Sequence, residues 1–128
     1  MTPPATPRDD RPSRSTREQE LRELYAAFDA RDVDRVLAAM TDDVQWPNGR
    51  EGGQLEGRQA VRDYWVRQWA RLRLSLTPVQ VRDLGDGRTE VAVRLVARDP
   101  AGLVLAREDV RHVYEFEGRL VSRMRVEP

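Results

Sequence analysis

Residues 25–46 read YAAFDARDVDRVLAAMTDDVQW, and the change of period along this stretch decides the fold. Tyr25 and Phe28 continue, with Leu21 and Leu24, an apolar series at helical spacing, while Arg17, Glu18, Glu20, Arg22 and Glu23 occupy the other face. That pattern predicts an amphipathic helix from Thr16 to Ala30. Asp32 then precedes Val33, Val36, Leu37 and Met40, where its side chain can accept a hydrogen bond from a free first-turn N–H and cap a second, shorter helix. Val44 to Trp46 reads as a short strand, which Pro47 interrupts because it has no N–H to donate.

Downstream, residues 47–57 (PNGREGGQLEG) read as irregular. Gly49, Gly52, Gly53 and Gly57 lack the strand-loop-helix context and the spacing of a phosphate cradle, so they mark a flexible loop, a lid over whatever lies beneath. Asp42 and Asp43 are read as turn formers rather than as an acid or metal pair. The following RQAVRDYWVRQWARL places Val61, Tyr64, Trp65, Gln68 and Leu72 on one stripe with Trp69 at its edge, which makes a third amphipathic helix.

From Leu74 onward the period drops to two. Strands are expected over 75–83, 89–99, 103–116 and 119–126, joined by the short turns LGDG, DPAG and EG, so neighbours should pair antiparallel as a meander. In LVLAREDVRHVYEF one phase carries Val104, Ala106, Val110, His112, Tyr114 and Phe116, and the other carries Arg107, Asp109, Arg111 and Glu115. One sheet face therefore meets the helices and the other meets water or a second subunit. The fold class is α+β, with three N-terminal helices packed in a curled, mostly antiparallel sheet that forms a cone open at one end.

Composition narrows the function. The 128 residues suit one domain, here 17–128, with residues 1–16 (MTPPATPRDDRPSRST) as a disordered leader of a cytoplasmic protein. Twenty-two Lys plus Arg balance twenty-two Asp plus Glu, so nothing draws the chain toward nucleic acid or an anionic membrane. No apolar run approaches the roughly 20 residues that span a bilayer. Cysteine is absent and His112 is the single histidine, which argues against a thiolate nucleophile and a protein-only zinc site. No metal and no cofactor are expected.

Taken in order, YAAFDARDVDRVLAAMTDDVQW, GRQAVRDYW and HVYEFEGRLVSRM resemble the nuclear transport factor 2-like superfamily, in particular its SnoaL-like and ketosteroid isomerase-like members, whose cystatin-like cone they imply. The superfamily hosts isomerases, cyclases, dehydratases, epoxide hydrolases and non-catalytic domains, so the resemblance implies a fold before a reaction. In the isomerases an aspartate base falls where this chain has Trp46-Pro47-Asn48, and no carboxylate stands there. Their oxyanion-binding tyrosine matches Leu24, one residue from Tyr25, and their hydrogen-bonding acid matches His112, ahead of Tyr114-Glu115-Phe116. The resemblance thus implies a surviving donor and a lost base.

Each candidate has a plain structural reading beside the functional one. His112 is either a satisfied buried histidine or a pocket-lining acid, base or donor titrating near neutrality. Tyr25 is its companion if the helix register differs by one. Trp46 is placed at the cavity mouth, in contact with ligand, and Trp65 packs the core while lining the cavity. Asn48 either takes a left-handed turn conformation or orients a substrate or a water. Gln68, an amide within an apolar stripe, requires a partner, which is a backbone group, His112 or a ligand. Phe28 and Tyr114 complete the ligand-contact set.

Two functions follow from this reading. One is a pocket that binds a small hydrophobic molecule, with a cofactor-independent isomerase, lyase or hydrolase as its enzymatic form and His112 and Tyr25 as catalytic residues. The other is a non-catalytic binding or dimerisation domain of the same fold. A homodimer through the outer sheet face is expected, with Val91, Val93 and Leu95 as the apolar residues of that face.

Overall fold

A computed structural model describes residues 14–48 and 52–127 of the chain. Its elements, in order, are α1 (Arg14–Asp29), α2 (Val33–Ala38), β1 (Met40–Pro47), β2 (Gln54–Glu56), α3 (Arg58–Arg71), β3 (Arg73–Gly85), β4 (Arg88–Arg98), β5 (Val104–Glu117) and β6 (Leu120–Glu127). The expected leader lies outside the described residues, except that Arg14 to Thr16 already belong to α1.

The helices form where apolar spacing and local capping agree. On α1, Leu21, Leu24, Tyr25, Ala27 and Phe28 are all buried on one stripe. Asp32 caps α2 by accepting from the Arg35 N–H at 3.3 Å, and α2 buries Val36 and Leu37. Val61 and Trp65, one turn apart, are the buried residues of α3. Asp29, the last residue of α1, accepts from the Leu76 N–H at 3.1 Å and so ties the helix to β3.

The six strands lie in the order β2-β1-β6-β5-β4-β3. The meander from β3 to β6 is antiparallel throughout, as its short turns require. Register shifts near Pro78, Gly85, Arg98 and Phe116 mark irregularities that bend the strands, and the sheet curls around the helices without closing. The core lies in the curl, where Met40, Val44, Val61, Trp65, Val91 and Tyr114 are almost fully excluded from solvent.

Several expectations are corrected. The second helix ends at Ala38 rather than Met40, because Met40 pairs in parallel with Val121 and the Ala39 carbonyl accepts from the Val121 N–H at 2.8 Å. Asp42 and Asp43 therefore stand in a strand, where Asp42 meets Arg58 at 2.9 Å. Arg58 also donates from Nε to the Met40 carbonyl at 3.0 Å, clamping the start of α3 to β1. Pro47 is itself in β1, beyond the last residue that pairs with β6, where its missing N–H breaks no bond to that strand.

The glycine-rich segment is a hairpin rather than a free loop. Trp46 pairs with Leu55 and Pro47 with Gln54, while two backbone bonds between Asn48 and the pair Gly52 and Gly53 tie the turn. Gly49 lies outside the described residues. Val91 and Val93 are buried in the core and Leu95 packs against it, so they are not outer-face residues. The outer face instead carries ion pairs, Arg82 with Glu90 at 3.1 Å, Arg94 with Asp109 at 3.4 Å and Arg123 with Glu115 at 3.8 Å.

Candidate functional site

The open end of the curl encloses a cavity of about 400 Å³. Helix α1 supplies Leu24, Tyr25 and Phe28 to its wall, β1 supplies Trp46 and Pro47, and α3 supplies Tyr64, Trp65 and Gln68. Strand β5 adds Glu108, Val110, His112 and Tyr114, with Leu95, Met124 and Val126 from its two neighbours. The lining is mostly aliphatic and aromatic with a few polar groups, the composition of a small-molecule site.

The aromatic wall is made of edge-to-face contacts that fix its rings. Trp46 meets Trp65 at 5.4 Å between ring centroids and 89°, and Phe28 meets Trp65 at 5.5 Å and 78°. These geometries favour the positive ring edge against the negative ring face and hold both partners without a polar bond. Trp46 is only 9% exposed and lines the cavity.

Within that wall three polar side chains form a single hydrogen-bond chain. Tyr114 Oη donates to Tyr25 Oη at 2.7 Å, and Tyr25 Oη lies 2.7 Å from His112 Nδ1. Each phenol has one proton. With Tyr114 donating to Tyr25, the arrangement in which each hydroxyl proton makes one bond has Tyr25 donating to Nδ1 and the neutral imidazole carrying its hydrogen on Nε2. Among the described residues Nε2 has no hydrogen-bond partner, and His112 lines the cavity.

Burial sets the charge of all three groups. Desolvation lowers the His112 pKa to about 4, because a charged imidazolium is costly in an apolar wall. The same effect pushes the Tyr25 hydroxyl well above its usual value, with Tyr114 adding to it, and burial likewise raises Tyr114. At neutral pH the chain is therefore uncharged. It can donate a hydrogen bond to an oxygen acceptor, and in this tautomer Nε2 cannot take up a proton.

Tyr25, Phe28, Trp46, Trp65, Gln68, His112 and Tyr114 are thus brought to one cavity, while Asn48 is not among its lining residues. The Asn48 backbone closes the β1-β2 turn, but Asn48 does not take the left-handed conformation expected of it, since the non-glycine residues with positive φ among the described ones are Arg31 and Asp86. Gln68 finds a partner that was not anticipated: its Nε2 donates at 3.1 Å to the hydroxyl of Tyr64, one turn earlier on α3. Two polar lining residues lie outside the set expected from the sequence. Tyr64 was seen only as part of a stripe, and Glu108 interrupts the apolar phase between Ala106 and Val110, a break that was itself the available signal.

Among the described residues no group of three or more histidine, aspartate or glutamate side chains could hold a metal ion, and no helix is long and apolar enough to cross a membrane.

Comparison with known proteins agrees with this architecture. None of the curated proteins matches the chain. An NTF2-like protein of unknown function from Burkholderia pseudomallei is 27% identical, with 87% of this chain and 88% of that one covered and a TM-score of 0.76. An uncharacterised cystatin-fold protein from Novosphingobium aromaticivorans is 26% identical, covering 88% and 97% at a TM-score of 0.71. A protein named as a candidate polyketide cyclase, from Xanthomonas campestris pv. campestris, is 20% identical, covers 88% and 90% at a TM-score of 0.72, and shares the fold. The family model of the SnoaL-like domain matches residues 21–124, from the buried stripe of α1 to the last cavity residue but one of β6, and the chain belongs to that family.

Proposed function

We propose that the protein binds a hydrophobic, ring-containing small molecule in the cone and polarises one of its oxygens through His112 Nε2–H. The observation that carries this reading is the Tyr114-Tyr25-His112 chain, which ends in an N–H without a protein partner in the wall of a largely apolar cavity. In its enzymatic form the protein is a cofactor-independent isomerase, lyase or hydrolase. His112 then donates to the oxygen on which negative charge develops, Tyr25 fixes the tautomer, and Tyr114 completes the chain. Trp46, Trp65 and Phe28 hold the rings of the ligand, and Gln68 with Tyr64 supplies polar contacts on the α3 side. The candidate polyketide cyclase among the structural neighbours is in keeping with a ring-containing ligand.

A second reading is a binding domain without turnover. It is favoured by the cavity wall at Trp46 and Pro47, which has no carboxylate where related isomerases keep their base. Association of two copies through the outer sheet face belongs to the proposal under either reading, and light scattering at several protein concentrations tests it.

The donor role is tested with para-acetylbiphenyl, whose ketone reports its own hydrogen bonding. On binding to the wild-type protein its carbonyl stretch should shift to lower frequency, and in the His112→Phe variant the shift should disappear while binding persists. Binding with an unshifted carbonyl in the wild type would sink the assignment of Nε2–H as donor. The enzymatic form further requires that turnover of a ring ketone, followed as exchange of its α-protons in heavy water, fall in the same variant.

A further inference from the structure

Glu108 occupies the inward phase of β5, one full turn of the pleat repeat before Val110 and two before His112. It lines the same cavity as His112 from the exposed end, opposite Leu95 of β4, which also faces the cavity. Three carboxylates of the outer face, Glu90, Asp109 and Glu115, are paired with arginines. Glu108 has no hydrogen bond or ion pair among the described residues, although Arg107 and Arg111 stand close by on the same strand. An acid that served only solubility would be expected in the outward phase with those partners.

Side chains four residues apart on a strand leave the same face, with Cα atoms ~13 Å apart. The cavity therefore has two polar poles, an N–H donor within and a carboxylate acceptor at the rim, separated by apolar and aromatic surface. We propose that Glu108 is a specificity-determining residue, selecting elongated ring compounds that carry a hydroxyl at the end remote from the oxygen bound by His112. The inference rests on reading the cavity as a ligand site, and it adds the length of the ligand and the chemistry of its outer end. A carboxylate accepts a hydroxyl proton in a charge-assisted bond and repels the lone pairs of an ether or ketone placed there.

The test uses para-acetylbiphenyl, its para′-hydroxy and para′-methoxy derivatives, and the single-ring pair acetophenone and para-hydroxyacetophenone, each titrated calorimetrically. In the wild type the hydroxy derivative should bind about tenfold tighter than the parent, as expected for a hydrogen bond to a charged group, and the methoxy derivative no tighter. Glu108→Leu should abolish the difference in affinity between the hydroxy derivative and the parent. Glu108→Gln, isosteric and still an acceptor, should keep roughly a threefold gain, since neutral bonds are about half as strong. The single-ring pair should show no gain, because it cannot reach from His112 to the rim. A gain that survives in Glu108→Leu, that the methoxy compound shares, that the single-ring pair reproduces, or that is missing in the wild type overturns the proposal while the cavity reading stands. If none of the biphenyls binds the wild type, the cavity reading falls and this inference falls with it.

Discussion

The two faces of β5 hold their polar groups under opposite rules. Facing inward, His112 and Tyr114 are 5% and 1% exposed, and they satisfy one another through Tyr25 in short, neutral hydrogen bonds. Facing outward, Asp109 and Glu115 pair loosely with Arg94 and Arg123 at 3.4 and 3.8 Å, the first pair exposed on both sides. The difference teaches where polar chemistry is costly. A buried hydrogen-bond chain loses the desolvation free energy of every group left unpaired, whereas an exposed ion pair exchanges its partner for water.

The comparison predicts a descending series of effects. Tyr114→Ala removes a buried ring that touches Tyr25, Trp46 and His112, and should destabilise the protein by about 4 kcal/mol in urea unfolding. Acid should act next. The folded pKa of His112 is lowered to about 4, below the ordinary value of 6.5, so the neutral imidazole contributes stability that is fully present above about pH 6.5. That contribution, about 3 kcal/mol in all, is lost as pH falls toward 4, and His112→Phe should flatten unfolding curves across this window.

Tyr25→Phe breaks the chain at its centre, leaving Tyr114 without its acceptor and Nδ1 without its donor. The expected loss is about 2 kcal/mol, and nitrogen chemical shifts of the imidazole should show the two tautomers mixing. Arg94→Ala is the control from the other face. Its pair with Asp109 is exposed on both sides, and its removal should cost less than about 0.5 kcal/mol. If Arg94→Ala proves as damaging as Tyr25→Phe, the contrast between the faces is wrong.

Much of the fold was legible because it depends on period. The α1 stripe, the Asp32 cap and the alternation in β5 are local patterns, and each element formed where its pattern stood. The stretch 40–57 misled for a physical reason. Its strand character comes from partners distant in sequence, Val121 and Arg123 of β6, and a short strand shows little period of its own. The error over Val91, Val93 and Leu95 has a related source. Alternation states that two faces differ, and an apolar residue at every second position of β4 belongs inside once the helices cover that side.

The site was legible in part. His112 stood out as a single histidine in an apolar phase, and Tyr25 as a neighbour of the matched helix position. Their contact was not readable, because the residues lie 87 apart and meet only when α1 crosses the sheet. Glu108 was passed over because a strand's apolar phase tolerates one exception, and only the position of the cavity makes that exception a rim.

By itself the sequence determined the element types outside residues 40–57, the cap, the antiparallel meander and the lack of a carboxylate at Trp46-Pro47-Asn48, since all of these are set by residues close along the chain. Tertiary structure alone decided that Trp46 lines the wall, that Gln68 pairs with Tyr64, and that Tyr25 Oη lies against His112 Nδ1. A hydrogen bond is fixed by distances of a few tenths of an ångström, and periodicity carries no information on that scale.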